Sequence, residues 1–234
     1  MAVGVPGKLL GAGRNADVYD IGDGRVLRRY RDGREPAWVD HEAKVMAHAR
    51  AAGAPVPEVF DVAGSDIVME RAAGPTMLDD LGRRPWTARA QARLLARMHE
   101  LVHRVPVDGL PLPAPFNGPG DGDVLLHRDL HPQNVVLTSS GPMIIDWEGA
   151  ARGPAIADVA MTWVIIGFSN IPGSRVRAFA ARGVRGALTR AFVRAAGPLD
   201  ETWRAIAIRR RLADPNLLPA EKARLEKLAP ASLP

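Results

Sequence analysis

Short apolar runs broken by glycine turns fill the first third of the chain, and longer stripes at helical spacing fill most of the rest. Residues 8–19 read as strand, glycine turn, strand, with Gly11 and Gly13 in the turn. The segment Arg25-Val26-Leu27-Arg28-Arg29-Tyr30 follows the turn Gly22-Asp23-Gly24 as a third strand. Pro36 then opens a helix over residues 37–52, where Trp38, Val45, Met46 and Ala49 fall at helical spacing. Residues 55–62 and 66–70 add two strands around the turn Ala63-Gly64-Ser65. The pattern predicts a five-stranded antiparallel sheet with one helix, ending at the break Ala72-Ala73-Gly74-Pro75.

Beyond the break the period changes. Thr87 stands where it could cap a helix whose apolar stripe is Leu94, Leu95, Met98, Leu101 and Val102. Residues 105–123, rich in Pro and Gly, read as a loop bordering a substrate site. Residues 124–126, 135–137 and 143–145 are short apolar runs, and the last two flank the turn Thr138-Ser139-Ser140-Gly141-Pro142 as an antiparallel hairpin. Gly153-Pro154 turns into an apolar helix through Trp163. Residues 174–196 carry the stripe Val176, Phe179, Ala180, Val184, Leu188 and Phe192, as one helix or as a pair broken near Gly183 and Gly186. A short charged helix follows Pro219. The expectation is an α+β chain of two lobes, residues 1–72 and 73–234.

Composition narrows the function classes. At 234 residues, 47% hydrophobic and 24% charged, the chain can bury a substantial core. With no cysteine, disulfides, thiolate metal sites and cysteine nucleophiles are excluded. The longest mostly apolar stretch, residues 159–168, falls short of the roughly 20 residues that span a bilayer. Residues 1–7 lack a charged segment leading into an apolar one, so a soluble cytoplasmic protein is expected. A net charge of +5 and a pI near 10.2 raise nucleic-acid binding as an alternative. The arginines are scattered, however, and only Arg209-Arg210-Arg211 forms a run, which favours a solvated surface.

The chemistry concentrates in His127-Arg128-Asp129-Leu130-His131-Pro132-Gln133-Asn134, followed twelve positions after Asn134 by Asp146 at the end of Met143-Ile144-Ile145. Phosphoryl transfer from a nucleotide needs a carboxylate to hold the acceptor hydroxyl and take its proton, and hard oxygen ligands to hold Mg²⁺ against the phosphates. Asp129 suits the first task; Asn134 and Asp146 suit the second. Pairing residues 135–137 with 143–145 would bring Asn134 and Asp146 to one end of the hairpin. A basic residue on the 25–30 strand and Glu42 on the following helix can pair across the gap between them, either turning a cation towards a nucleotide phosphate or forming an ordinary surface ion pair. Gly11 and Gly13 would let backbone N–H groups approach phosphates, although the third glycine of a dinucleotide fold and the Lys-Ser/Thr ending of a P-loop are both absent.

A second string, His99-Glu100-Leu101-Val102-His103, has the spacing of a zinc-protease helix but offers only two ligands. It leaves Asp129, Asn134 and Asp146 without a role. Histidines at a helix C-terminus also serve as dipole partners. Asp158 enters a largely apolar segment, where a carboxylate needs partners, and the backbone of the 127–134 loop is a candidate.

From residue 8 to about residue 216 the chain resembles the aminoglycoside phosphotransferase and choline kinase group, small-molecule kinases with a protein-kinase-like fold. The resemblance rests on His127 to Asn134, Ile144 to Ala150, and Gly153 to Asp158. It implies Asp129 as catalytic base, Asn134 and Asp146 as metal ligands, Gly11 and Gly13 as glycine-loop residues, and Glu42 as the helix glutamate. It further implies residues 69–72, with Met69, Glu70 and Ala72, as the hinge meeting the purine of ATP or GTP through backbone groups. Residues 1–72 would then be the nucleotide-binding lobe and residues 73–234 the catalytic and substrate-binding lobe.

Two departures matter. The strand lysine of that group is absent, and Arg28 is its candidate substitute, with Arg29 on the opposite strand face. No activation segment with Ala-Pro-Glu is present, which points away from a protein substrate. The reading is therefore an Mg²⁺-dependent kinase acting on a small-molecule hydroxyl; its alternatives are a nucleotide-binding pseudokinase and a basic nucleic-acid-binding module. Between residues 151 and 211, eleven arginines face three acids, Asp158, Asp200 and Glu201, which favours a neutral or anionic acceptor over a polycation.

Overall fold

The computed structural model describes residues 7–13, 15–31, 35–114, 116, 122–169 and 175–228, with side chains described outside 175–182. β1 (Lys8–Ala12), β2 (Ala16–Gly22), β3 (Arg25–Tyr30), β4 (Val59–Ala63) and β5 (Asp66–Glu70) form one antiparallel sheet in the order β1-β2-β3-β5-β4. The β2–β3 turn places Asp23 and Gly24 at φ 52° and 69°, a left-handed conformation that glycine and aspartate tolerate. α1 (Pro36–Ala51) starts on Pro36, whose missing N–H costs nothing at that position. Its buried face is Val39, Glu42, Ala43, Val45, Met46 and Ala49. Trp38, expected in the apolar stripe, is 52% exposed. A glutamate at the centre of the buried face had hidden the true stripe.

Residues 71–76 lead from β5 to α2 (Met77–Arg83) and run beside the hairpin β7 (Val135–Thr138) and β8 (Gly141–Ile144). A Cβ on Gly74 would lie 2.1 Å from the Leu137 carbonyl oxygen, so the close approach requires glycine there. Leu137 N–H donates to Pro75 O at 2.9 Å, and Thr76 bridges Val136. Thr76 caps α2 through a reciprocal capping box with Asp79. Neither α2 nor this cap was expected.

Thr87 does not cap α3 (Ala88–His103). It closes a 3₁₀ turn over Pro85–Thr87, and its hydroxyl donates to Arg84 O. The local carbonyl was a better partner than the helix amides. β6 (Val124–Leu126) pairs with β9 (Ala151–Gly153), a strand absent from the sequence reading because three residues carry no period. α4 (Ala155–Phe168) runs five residues past Trp163.

α5 (Arg175–Ala196) is continuous through Gly183 and Gly186. A mid-helix glycine costs roughly 1 kcal/mol, less than the packing gained by burying Leu188 and Phe192. Val176, Phe179 and Ala180 lie outside the residues whose side chains are described. α6 (Glu201–Leu212), capped by Asp200 through Trp203 N–H, and α7 (Pro219–Glu226) complete the chain. Buried side chains from Ala16 to Leu225 form one contiguous cluster, so sheet and helices share a core.

Candidate active site

The hairpin sets the geometry. Val135 pairs with Ile144 and Val136 with Met143, so Asn134 and Asp146 leave the same end of the β7–β8 ladder. Asn134 Nδ2 donates to the Asp129 carbonyl at 2.9 Å and to Asp129 Oδ2 at 3.2 Å. With the amide nitrogen committed, Asn134 Oδ1 is the atom left for a cation. Asp146 has φ 70° and Arg128 has φ 68°. Such conformations cost of order 1–3 kcal/mol each and collect at functional sites.

His127 ties the loop to the hairpin. Its Nε2–H donates to Ile145 O at 3.1 Å, and its Nδ1 accepts Asp129 N–H at 3.4 Å. Burial holds the imidazole below its ordinary pKa, so it stays neutral in this tautomer. The Asp129 carboxyl is half-buried, which alone would raise its pKa. His131, with Nε2 3.4 Å from Asp129 Oδ1, acts together with His127 and Arg211 to offset burial and bring the carboxyl below its usual range. Asp129 is thus ionised at neutral pH, as a group that orients a hydroxyl and accepts its proton must be.

Beneath the loop, Asp158 is fully buried in the first turn of α4. Its Oδ2 accepts His127 N–H at 3.0 Å and its Oδ1 accepts Arg128 N–H at 2.6 Å. His103 Nε2 lies 3.2 Å and His99 Nδ1 3.5 Å from Oδ2. Burial opposes ionisation, but the His103 hydrogen bond and the adjacent His99 imidazole hold the carboxyl well below its normal range. The expected anchor for the loop backbone is therefore present.

A cluster built around a cation closes the other side. Arg28, buried on β3, donates Nη2 to Asp146 Oδ1 at 2.6 Å. Its Nη1 is 3.6 Å from Glu42 Oε1 and its Nη2 is 3.7 Å from Glu148 Oε2. Tyr30 donates its hydroxyl to Glu42 Oε2, and its ring lies 5.1 Å from the Arg28 guanidinium carbon. Burial would lower the Arg28 pKa, but Glu42 and Asp146 more than offset it, and the guanidinium stays charged. Burial pushes the Glu42 carboxyl up, opposed by Arg28 and the Tyr30 hydroxyl. Arg29, one residue on, faces away and pairs with Asp66 at 2.7 Å.

Tyr30, His131, Glu148 and Asn15 were missed by sequence reasoning. Asn15 Nδ2 donates to Glu148 Oε1 at 2.6 Å, joining the glycine turn to the segment after β8. The one signal for Glu148 was its place two residues after Asp146. Gly13 N–H closes the turn onto Ala16 O at 2.9 Å, where a Cβ would meet that oxygen at 2.7 Å. Gly11 has open space around it and no such requirement. Met69 is buried on β5, the Glu70 carboxylate is 3.1 Å from Arg50 Nη1, and Ala72 is half-buried in the link to α2. The Glu70 side chain is thus turned to α1, and its N–H donates to Glu58 O at 2.8 Å.

The donor set fits a hard divalent cation: a carboxylate and an amide oxygen at one hairpin end, with a second carboxylate, Glu148, beside them. Asp146 Oδ1 is taken by Arg28, which leaves Oδ2 as the oxygen a cation would meet.

Comparison with known proteins gives three results. A family model described as the phosphotransferase enzyme family matches residues 7–120 and 110–198. Thiamine kinase of Salmonella paratyphi B is 49% identical over 39 residues, 17% of this chain and only 14% of that protein's length. Among solved structures, aminoglycoside phosphotransferase APH(4)-Ia in a ternary complex with AMP-PNP and hygromycin B aligns with a TM-score of 0.66 at 16% identity, covering 94% of this chain and 90% of that one. A choline/ethanolamine kinase family protein from Mesorhizobium loti aligns with a TM-score of 0.56 at 18% identity, covering 96% and 88%. An amicoumacin kinase in complex with AMP-PNP, Ca²⁺ and Ami aligns at 0.56 and 16%, covering 95% and 86%. At these identities the likeness concerns the fold, and the expected protein-kinase-like α+β arrangement is borne out.

Proposed function

The chain belongs to the phosphotransferase enzyme family, and on that premise we propose that it moves the terminal phosphoryl group of ATP or GTP to a hydroxyl of a small molecule. One observation carries this reading: Asp129, Asn134 and Asp146 converge at one hairpin end, with Asn134 bonded to Asp129 and Asp146 bonded to Arg28. The ionised Asp129 holds the acceptor hydroxyl and takes its proton late, which suits a transfer dominated by positioning. Asn134 Oδ1 and Asp146 Oδ2 would hold Mg²⁺, which supplies charge neutralisation at the phosphates. Arg28, always charged, takes the place of the strand lysine, with Glu42 fixing its direction. Residues 1–72 serve the nucleotide, through the Gly11–Gly13 turn and the 69–72 backbone, and residues 73–234 serve the acceptor.

The acceptor is proposed to be neutral or anionic. Arg128 and Arg210 approach the same ring, Phe116, at 5.8 and 5.2 Å, next to Asp129. Burial and the nearby Arg210 lower the Arg128 pKa. Two like charges at the loop disfavour a polycation. Arg211 and Arg152 are spent on Glu221, Asp214 and Asp123, which weakens the simple count of arginines but leaves this pair.

The test is Asp129→Asn, assayed with labelled nucleotide against a metabolite extract and a panel of neutral, acidic and aminoglycoside alcohols. Nucleotide binding should persist while turnover falls by about 10²–10⁴, the usual worth of a positioned base. Tight nucleotide binding by the wild-type protein with no labelled product would favour a pseudokinase. Efficient turnover of aminoglycosides alone would reverse the charge assignment.

A further inference from the structure

His99 and His103 form no part of the phosphoryl-transfer machinery, yet the fold supplies what their spacing in the sequence lacked. They lie one turn apart on α3, on the face towards α4, and Asp158 comes up from the first turn of α4 between them. One ligand atom from each of the three residues lies within 4.8 Å of the other two.

The protons in this cluster can be counted. The Thr162 hydroxyl has one proton and donates it to Leu130 O at 2.7 Å. Its contact with His99 Nε2 at 3.0 Å must then run from the imidazole N–H to the hydroxyl oxygen. That fixes the hydrogen of a neutral His99 on Nε2 and leaves Nδ1 as a lone pair. Nδ1 is buried without a hydrogen-bond partner, 3.5 Å from the Asp158 Oδ2 carboxylate oxygen. A lone pair facing a carboxylate is repulsive unless a positive centre sits between them.

We propose that His99 Nδ1, His103 Nε2 and Asp158 Oδ2 form a binding site for a divalent transition-metal ion of the zinc class. Two of the three edges suit it. The edges Asp158–His103 and Asp158–His99 measure 3.2 and 3.5 Å. For a metal about 2.05 Å from each donor they subtend angles of roughly 103° and 117°, on either side of the tetrahedral value. Two imidazoles and one carboxylate leave a fourth position for water, and a cavity of about 270 Å³ lined by His99, His103 and Glu100 lies against the cluster. Nitrogen donors select zinc, cobalt or nickel over Mg²⁺, which keeps this site chemically distinct from the oxygen ligands at Asn134 and Asp146. Asp158 also holds the His127 and Arg128 amides, so an ion here would brace the catalytic loop from below.

Chelator-treated protein would be titrated with Zn²⁺ by calorimetry, and in parallel with Co²⁺ while recording ligand-field absorption. The expected result is one equivalent bound in the presence of excess Mg²⁺, with a four-coordinate cobalt spectrum and a rise in melting temperature. His103→Ala is the informative variant. His103 lines the cavity and is the more exposed of the two imidazoles, so its loss should leave the fold intact by circular dichroism while weakening zinc binding by more than about 100-fold, the upper range for loss of a mere supporting group. Asp146→Ala should bind zinc like the wild type, so this result stands or falls separately from the kinase reading. No stoichiometric binding would overturn the proposal and leave a proton on His99 Nδ1 as the positive centre. Binding unchanged in His103→Ala, or a six-coordinate cobalt spectrum, would also overturn it by placing the metal elsewhere.

Discussion

Two buried charge clusters flank the candidate site, and they are built with opposite signs. Around Arg28 a single cation is surrounded by Glu42, Asp146 and Glu148, two of them still reached by solvent. Around Asp158 a single anion, wholly buried, is surrounded by two backbone N–H groups and two imidazoles. The first cluster has more acceptors than its cation can satisfy at close range: only Asp146 is within 2.6 Å, while Glu42 and Glu148 stand 3.6 and 3.7 Å away. Partners held this loosely can be exchanged when phosphates and a cation arrive. The second is bonded through main-chain atoms that cannot rearrange without moving the loop. One cluster is suited to take part in binding, the other to hold still.

The strongest way to break this contrast is to remove the anion. Asp158→Ala leaves the His127 and Arg128 amides buried and unpaired, so unfolding by denaturant should show a loss of about 3–5 kcal/mol, as for other broken buried charge networks. A loss below about 1 kcal/mol would show that the loop does not depend on it.

Arg28→Ala should cost less stability, because Glu42, whose carboxyl burial already pushes up, can take a proton once its partner is gone. About 1–3 kcal/mol is expected, the cost of one unsatisfied buried group. Its main effect should appear in nucleotide KM or turnover, with Arg29→Ala unchanged. The reverse pattern would mean that Arg29 is the strand residue that meets the nucleotide.

At the shared carboxylate, Asp146→Ala removes an anionic ligand and should raise the Mg²⁺ requirement more than Asn134→Ala, read by metal titration of nucleotide binding. An unchanged requirement in Asp146→Ala would place the ion elsewhere.

The smallest effect sharpens the comparison through pH. His127 is held below its ordinary pKa by burial, so the unfolded chain binds more protons as pH falls below about 6.5, and stability declines from there. Asp158 is held well below its ordinary value, so its contribution is present above the unfolded carboxylate pKa and is lost as pH falls below about 3.9. Denaturation midpoints should step down from pH 7.5 to 5.5 through His127 and again from pH 4 to about 2.5 through Asp158; a flat profile over either interval would contradict the corresponding assignment.

Much of this was readable along the chain, for a specific reason. The sheet strands are short apolar runs bounded by glycine turns, the β7–β8 turn is marked by Ser139-Ser140-Gly141, and the distance from Asn134 to Asp146 is set by that one hairpin. Short-range geometry converts directly into residue spacing. Where periodicity was diluted the reading faltered. The three-residue β9 carries no period, a buried Glu42 masked the face of α1, and glycines within α5 read as breaks although packing overrides their propensity.

The sequence by itself determined the local chemistry: an acid, an amide and a second acid on one loop and hairpin, and an arginine where the strand expects a cation. Only the tertiary structure decided the partnerships. Arg28 meets Asp146 across 118 residues, Asn15 meets Glu148 across 133, and Asp158 gathers His99, His103 and the 127–128 backbone from separate elements. A buried charge takes whichever opposite charge or polar group the packed core leaves within reach, and no pattern along the chain encodes that distance.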